Sequence, residues 1–463
     1  MKYYKFIFLA VLILVASTIQ IMSQCQFDKL EIFIGYTGTS KFLASRGFDT
    51  TNIEGLIYAL EIDTVDESEA TDIATFLALK GRSDAIPKIK QRFMRQWNVR
   101  DMFDDPVEYV KALYHLDDPE TKNYAHICID SLLARRYRVQ EDVEIKDIVG
   151  PMQMLVNLGD YSTYNLFDSL MVFLATNDST AISDIDESLL EYYGRQPALR
   201  NRTFQLLKKI LQSPFVENRK GGLDVLGCYR DFSETQQLYR NIAAADPDIE
   251  LRIDALETLV IVYQDIFVLP YYKELIKYYK DNIKTDWDEL KFIGLVNTAG
   301  GLNSPLTLDL LLRLQNEIGD VRFTKIPSAT KYSLSFKDII IGSIRDFPPK
   351  RENELVLQNI EVLISSLPQT VSLNWLGDQN FTKELTNHLD NAKKHLVKGD
   401  SVNCGKEVEK FQEKVNKEYE KTINNEKKNK PKDKRFVTVE GWKFLYYNAQ
   451  YIIDRLPGEE KKQ

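Results

Sequence analysis

Glycine and proline are both scarce, at 21 and 15 of 463 residues. Sandwiches and barrels need a turn roughly every 8–12 residues, and this chain holds too few turn formers to supply them. Cysteine and histidine number four each. Four cysteines cannot staple a chain of this length, and four histidines leave little material for metal or acid–base constellations. The phosphate loop Gly-x-x-x-x-Gly-Lys, the Gly-x-Ser-x-Gly elbow, the His-Glu-x-x-His zinc helix and the EF-hand loop are all missing. Gly35, Gly38 and Gly47 are too irregularly spaced for a dinucleotide loop. These absences predict a protein that is not an enzyme and holds no cofactor or metal.

Apolar runs long enough to cross a bilayer are missing too. The longest, Phe6 to Ala16, follows Lys2 and Lys5 and precedes Ser17, Thr18 and Ser23. A short apolar run between a basic start and small residues is the pattern of a secretory signal peptide, here over 1–23. Losing Lys2 and Lys5 takes the net charge from −8 to −10. An acidic exported protein argues against a nucleic-acid partner. The expected address is the periplasm, the cell surface or the medium. Contact with a membrane is expected only through an uncleaved leader or a lipidated Cys25. Gln24 before that cysteine departs from the Leu-x-small-Cys pattern of lipoproteins.

What the chain does hold is helical periodicity. PVEYVKALYHL, LFDSLMVFLA, ALRNRTFQLLKKIL and PLTLDLLLRLQNEI each carry apolar residues at the spacing of one amphipathic helix. Asp-Pro pairs at 105–106, 118–119 and 246–247 mark helix starts, where a carboxylate caps open N–H groups and proline suits the first turn. The acidic pairs Asp104–Asp105, Asp117–Asp118 and Asp184–Asp186 read as caps of this kind rather than as catalytic or calcium-binding carboxylates. His388 and His395 sit two turns apart on one helix, about 10 Å along the axis, too far to share one ion. His115 and His126 belong to neighbouring helices. Cys128 and Cys228 lie among apolar residues 100 positions apart and are expected as buried thiols.

One helix opening is written twice. SPFVENRKGGLDVLGCY starts at Ser213, and DPDIELRIDALETLVIV follows 33 residues later at Asp246. Each has a proline five residues before an arginine (Pro214 and Arg219, Pro247 and Arg252), and a leucine seven beyond it (Leu226, Leu259). Pro197 and Arg202 repeat the spacing half a period earlier. A period near 33 denotes stacked helix pairs, each burying its apolar face on its neighbour. Asp246 to Leu259 resembles the second helix of a HEAT repeat, with Leu251, Arg252, Ala255 and Leu259 at the family's positions. The resemblance implies structural work for Asp248 and Arg252, and for Arg219 and Arg202 in the degenerate copies, through bonds along the stack. It places a HEAT-like array over 51–367, after a lead-in over 24–50, with RFTKIPSATKYSLSF (322–336) as an inserted loop.

SSLPQTVSLNWLGDQN shows no helical period and reads as a linker, over 368–380. The stretch 381–457 resembles the FIMAH domain, a small helical module at the C-terminus of many secreted bacterial proteins, some of them glycoside hydrolases. Leu389, Ala392, Leu396 and Gly399, then Val408, Phe411 and Val415, then Ala449, Ile452, Ile453 and Leu456 carry that resemblance across three helices. Cys404 and the long lysine-rich connection YEKTINNEKKNKPKDKRF depart from it. A short tail, 458–463, follows.

Tyrosine is abundant, at 24, and VLPYYKELIKYYKD holds two adjacent pairs. A helix cannot bury both members of such a pair on one narrow stripe. Tyr271, Tyr272, Tyr278 and Tyr279 are therefore the candidate binding surface, since exposed tyrosines serve protein interfaces and also stack on sugars. The sequence predicts an all-α protein: a solenoid, then a small bundle, acting as a non-catalytic scaffold for a protein partner. A glycan-binding or glycan-processing accessory is the alternative.

Overall fold

The computed structural model describes residues 39–62, 65–97, 107–139, 146–177, 186–351, 355–428 and 433–456. The leader over 1–23, Cys25, Asp104, Asp105, Asp184 and the tail lie outside them. Among the described residues every regular element is a helix, and strand pairing is reduced to two isolated bridges, Arg322 with Ser335 and Leu376 with Val437. The chain is all-α. It divides into two compact units between Thr235 and Gln236.

The first unit holds α1 (Thr39–Ser45), α2 (Ile53–Ala59), α3 (Glu67–Leu79), α4 (Ile86–Trp97), α5 (Val107–His115) and α6 (Thr121–Val139). It continues with α7 (Lys146–Asn157), α8 (Tyr164–Asn177), α9 (Asp186–Arg195), α10 (Pro197–Ile210) and α11 (Val216–Leu226). Helices pack on the next helix and the next but one: α5 touches α6 and α7, α7 touches α9, and α9 touches α10 and α11. Large rings fill the layers between them. Tyr164, Phe167 and Tyr193 cluster with centroids 4.8–6.1 Å apart, and Phe204 stacks on Phe232 at 4.2 Å. Tyr229 is fully buried and donates to the Leu190 carbonyl at 2.8 Å. Gly194 makes room for it, because a Cβ there would stand 1.9 Å from the phenol oxygen.

The repeated opening can be followed in both units. In the second, Asp248 caps α13 (Ile249–Ile261) by accepting from the Glu250 and Leu251 N–H groups at 2.9 and 3.0 Å. Arg252 donates to the Ala243 carbonyl, at the end of α12 (Thr235–Ala245), and pairs with Glu274 at 3.0 Å. In the degenerate copy the helix start has no side-chain cap; Ser213 lies just before it, its hydroxyl accepting from the Phe215 N–H at 3.2 Å and donating to the Ala175 carbonyl at 2.6 Å. Arg219 turns back on the Ser213 and Pro214 carbonyls. Arg202 lies 4.5 Å over the Tyr164 ring and donates to Asn165 at 3.1 Å, bridging α10 to α8. Asp248 thus serves its own helix start, whereas Arg252 and Arg202 each reach a neighbouring helix.

The second unit continues with α14 (Leu269–Asp281), α15 (Asp286–Gly300), α16 (Pro305–Glu317), the short α17 (Pro327–Lys331) and α18 (Phe336–Asp346). Again α13 touches α15, α14 touches α15 and α16, and α15 and α16 both touch α18. The segment expected as an inserted loop is strapped down. The buried Glu289 carboxylate accepts from the backbone N–H groups of Thr324, Lys325 and Ile326 at 2.6, 3.0 and 2.8 Å. Phe323 and Phe336 then close on Phe292, with Phe336 stacked on it at 4.1 Å.

Four helices end the described chain: α19 (Val356–Ser372), α20 (Gln379–Val397), α21 (Ser401–Lys427) and α22 (Val439–Arg455). Each packs on the next, and α22 returns to α19, which closes a four-helix bundle. Leu363, Leu367, Phe381, Phe411 and Phe444 are fully buried at its centre. This corrects the reading of 368–380 as a linker. The helix expected to stop at Leu367 runs on through Pro368 to Ser372, and Trp375 and Leu376 are buried in the same core at 7% and 1% exposure. The module therefore has four helices where three were expected.

Candidate interaction surface

A capped 3-10 turn, Ile266–Val268, leads into α14: Asp265, 4% exposed, accepts from the Phe267 N–H at 3.1 Å while paired with Arg240. Leu269, Tyr272, Leu275, Ile276 and Tyr279 are then buried, at the spacing of one helical stripe. Tyr272 and Tyr279 are thus core residues, and the expectation that all four tyrosines line a surface is corrected for these two. Tyr271 is half-buried and Tyr278 is exposed. Burial pushes the Tyr272 phenol well above its ordinary pKa. Burial, and then the neighbouring Glu250 carboxylate, do the same to Tyr279.

The exposed tyrosine belongs to a connected cluster. The Tyr278 ring stands edge-on to Tyr279 at 5.4 Å. Tyr279 donates to Glu250 on α13 at 3.0 Å, and Glu250 pairs with Lys291 on α15. The Lys291 ammonium lies 5.2 Å over the Trp287 ring, a cation–π contact. A capping box holds the start of α15: Asp288 accepts from Thr285 N–H at 2.7 Å, and Thr285 Oγ1 accepts from Asp288 N–H at 3.2 Å. Backbone N–H bonds from Lys284 and then Thr285 hold the Asp288 carboxyl below its usual range.

At the two ends of this cluster Tyr278 and Trp287 are 47% and 57% exposed. Leu290 and Phe267 are exposed nearby in sequence. Deeper on α13, burial first, then Asp254 and Glu250, push Glu257 up to about 7. The arrangement offers open rings over ionic braces, which suits contact with another macromolecule. Sequence reasoning found Tyr278 and missed Trp287, whose single-residue signal (an aromatic in the first turn of an acidic helix start) looks like an ordinary cap.

A second aromatic group lies on the bundle. Trp442 of α22 is stacked between Tyr419 of α21 at 4.8 Å and Tyr446 at 5.3 Å, with the exposed Tyr447 edge-on to both Trp442 and Tyr446. Its indole N–H donates to Asn416 at 3.0 Å, and Gln412 donates to Gln450 at 2.9 Å.

Three of the four histidines are braces. His126 meets Asp160 at 2.9 Å, His388 meets Glu407 at 2.8 Å and His395 meets Asp400 at 3.3 Å. Among the described residues no three His, Cys, Asp or Glu side chains gather as a metal site. Asp118 is buried against Lys90 at 2.9 Å. Cys128, Cys228 and Cys404 are thiols rather than disulfides. Among the described residues no helix is long and apolar enough to cross a membrane.

Comparison with protein-family models matches residues 361–430 to the FIMAH domain. The match begins inside α19, not at 381, and so takes in the helix that the linker reading had left out. No curated protein and no solved structure matches the chain.

Proposed function

We propose that this chain is an exported, non-catalytic interaction protein that holds a protein partner at the bacterial envelope or outside the cell. On this reading its repeated helices form a HEAT-like solenoid. The packing of helices on the next and the next but one supports that architecture, as does the 33-residue repeat of the Pro-to-Arg helix opening. The observation that carries the binding role is the pair of open rings, Tyr278 and Trp287, held at either end of one braced cluster. Exposed Tyr and Trp on a rigid support are what binding hot spots are made of.

The test is capture from the envelope and medium of the producing organism with the full chain as bait. One enriched protein that is lost with Tyr278→Ser and Trp287→Ser, while both variants keep the wild-type melting temperature, supports the reading. Enrichment that survives both variants overturns this surface. A second reading, glycan binding, is favoured by the Tyr419–Trp442–Tyr446 stack with amide side chains beside it. Quenching of tryptophan fluorescence by soluble cell-wall glycan, abolished in Trp442→Phe but kept in Trp287→Ser, would put that reading first.

A further inference from the structure

Stacked helix arrays have an end problem. The last layer exposes the apolar face that every earlier layer covers with its neighbour, and a terminal unit with a polar outer side must close it. We propose that the bundle α19–α22 is that closing unit, folded onto α16 and α18 as one cooperative structure, and not a separately tethered module. The inference does not depend on the binding surface above.

Four contacts carry it. The bundle interior is continuous with the layer before it: Leu308 of α16 and Phe347, just after α18, belong to the same buried core as Leu363, Phe381 and Phe444, and Phe347 meets Phe444 at 6.0 Å. A reciprocal amide pair crosses the contact, with Asn303 donating to Asn448 at 2.7 Å and Asn448 to Asn303 at 3.2 Å; Asn448 is 4% exposed. Lys443 on α22 donates to the Ile344 carbonyl, and to that of Arg345 at 3.3 Å, and so caps the C-terminus of α18. Ser304, at the start of α16, donates to Gln369 on α19 at 2.8 Å.

The far side of the bundle has the complementary character. Lys383 and Lys394 on α20 and Lys406, Glu409, Glu413 and Lys417 on α21 are exposed. An apolar, keyed inner side and a charged outer side are what an end unit requires. A tethered module would instead be polar all round.

Native-state hydrogen exchange on the full chain decides the matter. As denaturant rises, the slowest amides of α16 and α18 and those of α20–α22 should converge on one opening isotherm with one slope. Phe411 is fully buried on α21, in the bundle interior. Phe411→Leu should raise exchange of both groups together, by about tenfold. If the wild-type isotherms stay separate, with the bundle opening on a smaller slope of its own, the proposal is overturned. A rise confined to α20–α22 in Phe411→Leu overturns it equally. The wild-type isotherms suffice if the variant does not fold.

Discussion

Glu289 offers the sharpest test of how this fold holds its irregular parts. Its carboxylate is fully buried and is the acceptor for three consecutive backbone N–H groups, those of Thr324, Lys325 and Ile326. Removing it in Glu289→Ala strands three donors. At about 1–3 kcal/mol for each donor left unsatisfied, the ceiling is roughly 9 kcal/mol. Thr324 and Lys325 are exposed on their other side, so water reaches part of the vacated site. The Phe292–Phe336 stack also survives the substitution. The expected loss is therefore about 3 kcal/mol for Ala. It is about 2 kcal/mol for Gln, which keeps one acceptor oxygen but turns an NH2 toward the donors. For a unit of this size that is a fall of roughly 6–12 °C in the melting temperature for Ala. Differential scanning calorimetry of the full chain reads it, with Glu274→Ala as the control. Glu274 makes a single exposed pair with Arg252, and its loss is expected within about 0.5 kcal/mol. If Glu289→Ala melts no lower than Glu274→Ala, the strap is not held by this carboxylate and the reasoning fails.

Other predictions follow from the same kind of contact. Gly194→Ala drives a Cβ into the Tyr229 phenol and should cost about 2–4 kcal/mol; adding Tyr229→Phe should return part of it, and denaturant unfolding of the two variants measures the difference. Gly377→Ala places a Cβ 2.2 Å from the Phe436 ring and 2.4 Å from the Lys434 carbonyl, so the bundle's exchange protection should drop while that of α3–α7 stays unchanged. Asp160 is held down to about 2; burial opposes this, and bonds from His126 and then Ser162 outweigh it. Its contribution to stability is present above the ordinary carboxylate pKa and disappears as pH falls toward 2, so the loss of stability between pH 4 and 2 should be shallower in Asp160→Asn. Glu257 runs the other way: the folded carboxyl binds its proton more tightly than the unfolded one, so stability declines as pH rises from about 4.5 to about 7. Glu257→Gln should be more stable than wild type at pH 8 and no more stable at pH 4.

Much of this was legible from local pattern. Scarce turn residues and the 3.6-residue period dictated helices, and Asp248 caps α13 as an Asp before an apolar helical run should. Even the burial of Tyr272 and Tyr279 was written in the sequence, because 272, 275, 276 and 279 form one stripe. Long-range matters were not legible. Pro368 signals a helix end by local rules, yet α19 continues because Leu363, Leu367 and Thr370 are buried against partners that arrive later in the chain. Trp375 and Leu376 look like linker residues until Val437 pairs with Leu376. Glu289 has no sequence mark at all, since its three donors lie 35–37 residues away. The rings around Trp442 come together only when α21 and α22 are set side by side.

The Asn303–Asn448 pair has a consequence for how such chains are recombined. Two amides that satisfy each other across a buried contact tolerate neither a one-turn slip nor an apolar substitute on one side. A graft of residues 361–430 alone would leave Asn448 and its helix behind, and a graft of the whole bundle onto a different helical array would carry Asn448 into a face with no matching amide. The smallest segment that moves with its own lock and key is the one that begins before Asn303 and ends after Arg455.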